Sequence, residues 1–347
     1  MLEASRILFL FAFGSYLIGS IAYISGAVGL RVAAHTVRSA GLAGSPTAVP
    51  VASRTKAFTR WPVWGLYFVT LGLVLQTAGI MSRWIGAGYY PISNMYEFLN
   101  FFGWGIMLLF VWFNRQYKIP TLGAFVAPIG MLIIAYASVF PREVQPLIPA
   151  LQSYWLILHV SVAALGEAAF AVSFGAALMY LLRVQKAENL SKLGQSILEF
   201  TLFCILVLAA FIAMALLFRA QGYHVPIPGT SGYYTLPPFI GPSGFDGVLT
   251  RWAGLSLPIL ETPAWMGGIN AAQKLNTVAL SFLLGAIVYG ILRLAVRAPL
   301  RQAIASWVSN LDPEVLDDIS YRGVAVGFPL FTLGGLLFAM IWAQQAW

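Results

Sequence analysis

The chain has 347 residues, of which 59% are hydrophobic and 9% charged, with a formal net charge of +8. Soluble domains carry about 25% charged residues, so a soluble globule is excluded, and apolar runs that never alternate exclude a β-barrel. What is predicted is an all-α, polytopic transmembrane helix bundle, in keeping with a mean hydropathy of +0.80. The basic surplus is read as a topology signal rather than a nucleic-acid surface. A single cysteine, Cys204, lies in an apolar run and leaves no disulfide within the chain.

About eight spans are predicted, near 6–29, 61–81, 94–113, 121–140, 155–182, 198–217, 277–296 and 324–346, each close to the ~20 residues that cross a ~30 Å hydrocarbon core. The first run is too long for a signal-peptide core and has no cleavage site. A basic loop over 30–60 follows it, with Arg31, Arg38, Arg54, Lys56 and Arg60 and no acid. Fourteen of the 20 Lys and Arg residues fall on the side of that loop, and six on the other. That asymmetry places 30–60 in the cytoplasm, and the N-terminus outside. Residues 1–193 form an N-terminal membrane bundle of five spans. Residues 194–300 add a two-span insertion around an external loop, 218–276, and 301–347 are a cytoplasmic link and the last span. The external loop is too rich in Pro and Gly for a regular helix. Its later part carries Trp252, Leu255, Ile259, Leu260 and Trp265, and either lies on the bilayer surface or packs on the helices.

Chemistry-bearing residues are few. Of three histidines, His35 falls in the basic loop and His224 in the external loop, neither with metal-ligand company. His159, in "QSYWLILHVSVAALGE", sits about one turn inside the outer boundary marked by Tyr154 and Trp155. An ionisable side chain there requires a reason. Axial ligation of a haem iron is one reading, and a hydrogen bond to a neighbouring helix the other. Glu167 lies eight residues on, roughly on the same face. The stretch "GYYPISNMYEFLNFFGW" offers Ser93 or Asn94 as a helix cap and Glu97 in the first turn. Its aromatic cluster, with Tyr90, Tyr96 and Trp104, suits a flat aromatic ligand. Arg83 and Arg142 are external cations that could meet carboxylates of such a ligand.

Three segments, "PISNMYEF", "WLILHVSV" and "LDPEVLDDISYRGVAVGFPLFTLGGLLFAMIWAQQAW", resemble in order the CcsA/ResC proteins of System II cytochrome c biogenesis, some of which are labelled CcsB. The resemblance implies a part in a cytochrome c haem lyase or synthetase complex. It implies haem b as substrate, handled on the external face and presented to CXXCH motifs of apocytochromes c. It implies a ResB/CcsB-type membrane partner, a thioredoxin-like thiol reductant pathway, and a home in the bacterial cytoplasmic membrane, or a thylakoid-type membrane in a cyanobacterium or plastid. His159 matches the family's first external histidine ligand to haem iron. Trp347 matches the first tryptophan of the family's WGxxWxWDPKE segment, so the chain is expected to be a piece of a longer protein. Residues Tyr90, Asn94, Tyr96, Glu97 and Trp104 are the accompanying candidates for contact with haem. Two other readings compete: a membrane transporter of haem or another small solute, with Glu97 and Glu167 on its path, and a haem-bearing subunit of a respiratory complex.

Overall fold

Seven helices among the described residues are long and apolar enough to cross a membrane. The structure, a computed structural model, describes residues 1–42, 48–144, 149–185, 190–229, 232–266 and 270–346. Helices α1 (Leu2–Leu42) and α2 (Ala48–Ala87) run on beyond their apolar portions. Most of the expected 30–60 loop is therefore helical backbone, which its Ala, Leu and Arg content favours. The side chains of His35, Arg31, Arg38, Arg54 and Lys56 lie outside the described residues. Helices α3 (Met95–Tyr117), α4 (Leu122–Ala137) and α5 (Tyr154–Val184) follow.

The apolar run expected over 121–140 forms the 16-residue α4. At 1.5 Å per residue that is about 24 Å, short of the ~30 Å core. Tight turns lengthen it at both ends, from Leu122 N–H on the Ile119 carbonyl to Phe140 N–H on the Ala137 carbonyl.

Two compact units make up the chain: Met1–Gln195 with Arg301–Trp347, and Ser196–Leu300. In the first, α1 and α2 pack side by side, and the ring of Tyr23 is wedged between Gly65 of α2 and Gly123 of α4, where any Cβ would strike it. A buried polar chain crosses this bundle. Tyr16 Oη donates to Gln76 Oε1 at 2.8 Å, Gln76 Nε2 donates to the Asn100 carbonyl at 2.9 Å, and Asn100 Nδ2 donates to the Tyr96 carbonyl at 2.8 Å. In hydrocarbon, polar groups that satisfy one another in this way fix the rotation of α1, α2 and α3.

After the short α8 (Leu300–Ala305), the last span is a single long helix with a change of gauge. It comprises α9 (Pro313–Phe331), a π-helical turn over Thr332–Phe338, and α10 (Ala339–Ala346). Pro329 cannot donate to the carbonyl one turn back, and Gly334–Gly335 are poor helix formers. Such residues accompany kinks and π-bulges. This helix lies along α5 on a seam of small residues. A Cβ on Gly323 would meet Ser173 at 2.7 Å, one on Gly327 would meet Phe170 at 2.8 Å, and one on Gly334 would run into the backbone at Ala163. Ser173 Oγ donates to the Ser320 carbonyl at 2.7 Å across it. Gly327 and Gly334 thus share the packing face that their spacing suggests, but Gly335 turns instead to the ring of Phe331 in its own helix. Close backbone approach is the main source of helix affinity in a bilayer, where burial of apolar surface drives nothing. Gly334→Leu is accordingly expected to destabilise the protein by about 3 kcal/mol, since neither backbone can yield. An unchanged denaturation midpoint in detergent would show the seam to be compliant.

The second unit pairs α6 (Lys192–Ala220) with α7 (Ala271–Val296), Gly285 seating Val207. Glu199 Oε1 accepts from Tyr289 Oη and from the Leu300 backbone N–H, both at 2.8 Å. Between the helices the chain forms a small lobe of three two-stranded ladders: β1 (Val225–Pro226) with β2 (Tyr233–Tyr234), β3 (Ile240–Gly241) with β6 (Leu260–Glu261), and β4 (Thr250–Trp252) with β5 (Leu255–Leu257). Asn276 of α7 anchors the lobe, its Nδ2 donating to the Pro237 carbonyl and its Oδ1 accepting from Ile240 N–H, each at 3.0 Å. Tyr234 is buried and donates to the Ile240 carbonyl at 3.0 Å, and burial pushes its hydroxyl up to about 12. The unfolded tyrosine ionises near 10. Lobe stability is therefore expected to be flat below about pH 10 and to fall between about 10 and 12, because only the unfolded state gives up its proton there. The check is an alkaline unfolding series in which Tyr234→Phe removes that decline.

Candidate functional site

One end of the first unit gathers most of the candidates. Asn94 caps α3, its side chain accepting from Glu97 N–H at 2.9 Å. The Glu97 carboxylate accepts from Ser93 N–H at 3.0 Å, Ser93 Oγ at 2.9 Å and Arg83 Nε at 2.8 Å. The Arg83 and Glu97 side chains are only 3% and 0% exposed. Arg83 also donates to the Arg142 carbonyl, which ties α2, α3 and the segment after α4 together. It is consequently not the open cation suggested by its position in the sequence. Tyr96 is buried beneath both guanidiniums, 5.1 Å from Arg83 and 5.8 Å from Arg142. Arg142 keeps a buried Nε with no hydrogen-bond partner among the described residues.

The aromatic residues form one cluster. Tyr90 meets Trp84 and Phe101 edge-on, and Trp104 stacks on Phe101 at 5.4 Å while its indole N–H donates to Thr77 Oγ1. Beside them a cavity of about 530 Å³ opens between the α2–α3 connection and the start of α5, lined by Tyr89, Tyr90, Ser93, Gln152, Tyr154 and Ile157 among others. Its volume falls within the range of small-molecule sites.

His159 occupies a different face of α5. Two residues past Ile157, it turns to the last span. Its Nδ1 lies 2.9 Å from the Gly334 carbonyl in the π turn, and its ring stacks on Trp342 at 6.0 Å with 10° between planes. A carbonyl can only accept, so Nδ1 carries a proton, and in the neutral tautomer that this bond selects the lone pair is on Nε2. Histidines that ligate metals commonly donate their other N–H to a backbone carbonyl, which fixes the tautomer and raises basicity. The half-buried imidazole therefore fits the role of an axial ligand to haem iron, with Nε2 as the donor atom. Among the described residues no three His, Cys, Asp or Glu side chains come together as an ion site. Neither Trp342 nor the Gly334 carbonyl stands out in the sequence; the Gly-Gly pair after a proline was the available signal. Trp347 lies outside the described residues.

The architecture and this site define a polytopic helical membrane protein with an aromatic-flanked imidazole presented at one end of its bundle. A family model for cytochrome c assembly proteins matches residues 92–219, which include the α3 cluster and His159. The cytochrome c biogenesis protein CcsA of Nostoc punctiforme is 30% identical over 270 residues, covering 77% of this chain and 64% of that relative. CcsA of Synechocystis is 29% identical over 280 residues, with 78% and 64% covered, and CcsA of Synechococcus elongatus 26% over 291 residues, with 82% and 67% covered. The chain thus spans about two-thirds of the length of these relatives. It is similar to the cytochrome c assembly proteins, CcsA among them. No solved structure matches it.

Proposed function

We propose that this protein takes haem as its substrate at the external membrane face and presents it for covalent attachment to the CXXCH motifs of apocytochromes c. His159 Nε2 is the iron ligand. The observation that carries this reading is the bond from His159 Nδ1 to the Gly334 carbonyl, which leaves Nε2 as the one basic nitrogen of a fixed ring. The thioether bonds form between cysteine thiols of the apocytochrome and vinyl groups of haem, so the chain's contribution is to hold and orient the substrate. Trp342, beside the imidazole, keeps the ring from turning. The aromatic cluster and the cavity beside it, with Tyr90 and Trp104, offer flat apolar surface, while Asn94, Tyr96 and Glu97 hold that surface in place. A ResB/CcsB-type membrane partner and a thiol-reductant pathway complete the system. The N-terminus and His159 face outward, following the distribution of basic residues.

The test is the optical spectrum of the full-length protein purified with haem, compared with the His159→Ala variant. Loss of the low-spin bands in the variant supports ligation. An identical spectrum moves the ligand elsewhere and leaves His159 as a packing residue.

A further inference from the structure

We infer that the β-lobe of the second unit is seated in the bilayer interface beside its own helices, with the β4–β5 hairpin and the adjoining Ile259 and Leu260 immersed at the boundary between headgroups and acyl chains.

The hairpin turns through Ala253 at φ 49° and Gly254 at φ 82°. Two successive left-handed residues make the tight turn that suits a twisted ribbon. The residues flanking it, Trp252 and Leu255, are paired across the ladder and are both exposed, at 37% and 48%. Next to it, Ile259 and Leu260 are 59% and 62% exposed, and both donate their backbone N–H to the carbonyl of Phe239. The Phe239 ring contacts Trp252 at 5.8 Å, so hairpin and strand present one continuous apolar patch.

The depth of the patch follows from a third contact. Trp252 lies 6.1 Å from Phe218, which is in the last turn of α6. That turn is where a membrane helix leaves the hydrocarbon. The hairpin therefore leans back against the end of α6 instead of projecting from it, at the level of Leu217, which is 56% exposed. An exposed apolar patch level with the end of a membrane-spanning helix lies at the depth of the headgroup boundary. Tryptophan beside aliphatic residues is the composition of an interfacial anchor.

The test uses the full chain in phosphatidylcholine vesicles, with Cys204 replaced by serine and one cysteine introduced at Leu255 or Ile259 for an environment-sensitive fluorophore. A third label, Leu217→Cys on α6, calibrates the lipid signal. Labels at 255 and 259 are expected to be quenched by lipids carrying a nitroxide near the glycerol and to resist aqueous iodide. Quenching by iodide but not by the lipids overturns the inference, because the patch then faces water. Resistance to both also overturns it, because the patch is then covered by protein, a second copy included. If Cys204→Ser or a labelled variant lowers the yield of folded protein, tryptophan quenching by brominated lipid, compared between the unsubstituted chain and Trp252→Phe, gives the same distinction. The lipid-quenched fraction drops in the variant if Trp252 is immersed and is unchanged if it is not.

Discussion

His159→Ala abolishes cytochrome c maturation in cells that depend on this protein, and imidazole added to the medium partly restores it. The expectation follows from the free Nε2 beside a fixed Nδ1–H. Removing the side chain vacates an axial position that a free imidazole can fill. His159→Gln separates ligation from packing. Its amide N–H can still donate to the Gly334 carbonyl, yet it offers iron no comparable nitrogen. Maturation is expected to fail with glutamine as it does with alanine. Normal cytochrome levels in the glutamine variant would mean that His159 serves only to join α5 to the last span.

The second large effect is on stability. Glu97→Ala leaves Arg83 as a charge buried to 3% exposure, with only the Arg142 carbonyl as acceptor among the described residues. Breaking a buried pair from one side costs about 3–5 kcal/mol, whereas replacing both partners with apolar residues of similar volume is far milder. The single variant is therefore expected to lose most of its resistance to denaturation in detergent, and Arg83→Met with Glu97→Leu to regain much of it. Equal losses in the single and double variants would show that the pair itself, rather than the orphaned charge, carries the energy. Because Ser93 N–H and Oγ also end on Glu97, the single variant loosens the segment that borders the 530 Å³ cavity.

The helices were legible in the sequence because a bilayer demands them: runs of about 20 apolar residues have no other way to satisfy their backbone. The cap of α3 was legible too, since Asn94 and Glu97 follow a local rule that needs no tertiary contact. What sequence could not supply was pairing at long range. Arg83 and Arg142 both read as external cations, and only the packing of α2 on α3 shows one of them neutralised by Glu97. His159 could be placed near a boundary, but its partner is a backbone carbonyl 175 residues away, which has no residue-type signature. The segment 30–60 read as a basic loop between spans, whereas the flanking helices run on into it. In the β-lobe, Pro and Gly correctly ruled out helix, yet two- and three-residue strands leave no period to detect.

The π turn over Thr332–Phe338 acts on rotational phase. Each residue of an ordinary helix advances the side chain by about 100°, so widening one turn offsets every residue beyond it against those before. Gly327 and Ser320 stay locked to α5 on one side of the turn, while Trp342 meets His159 on the other. The two ends of this helix thus meet the same neighbour in phases that differ by the offset of that turn. Its length is consequently as constrained as its composition, and a one-residue insertion or deletion there would turn Trp342 off the imidazole while every side chain remained in the sequence.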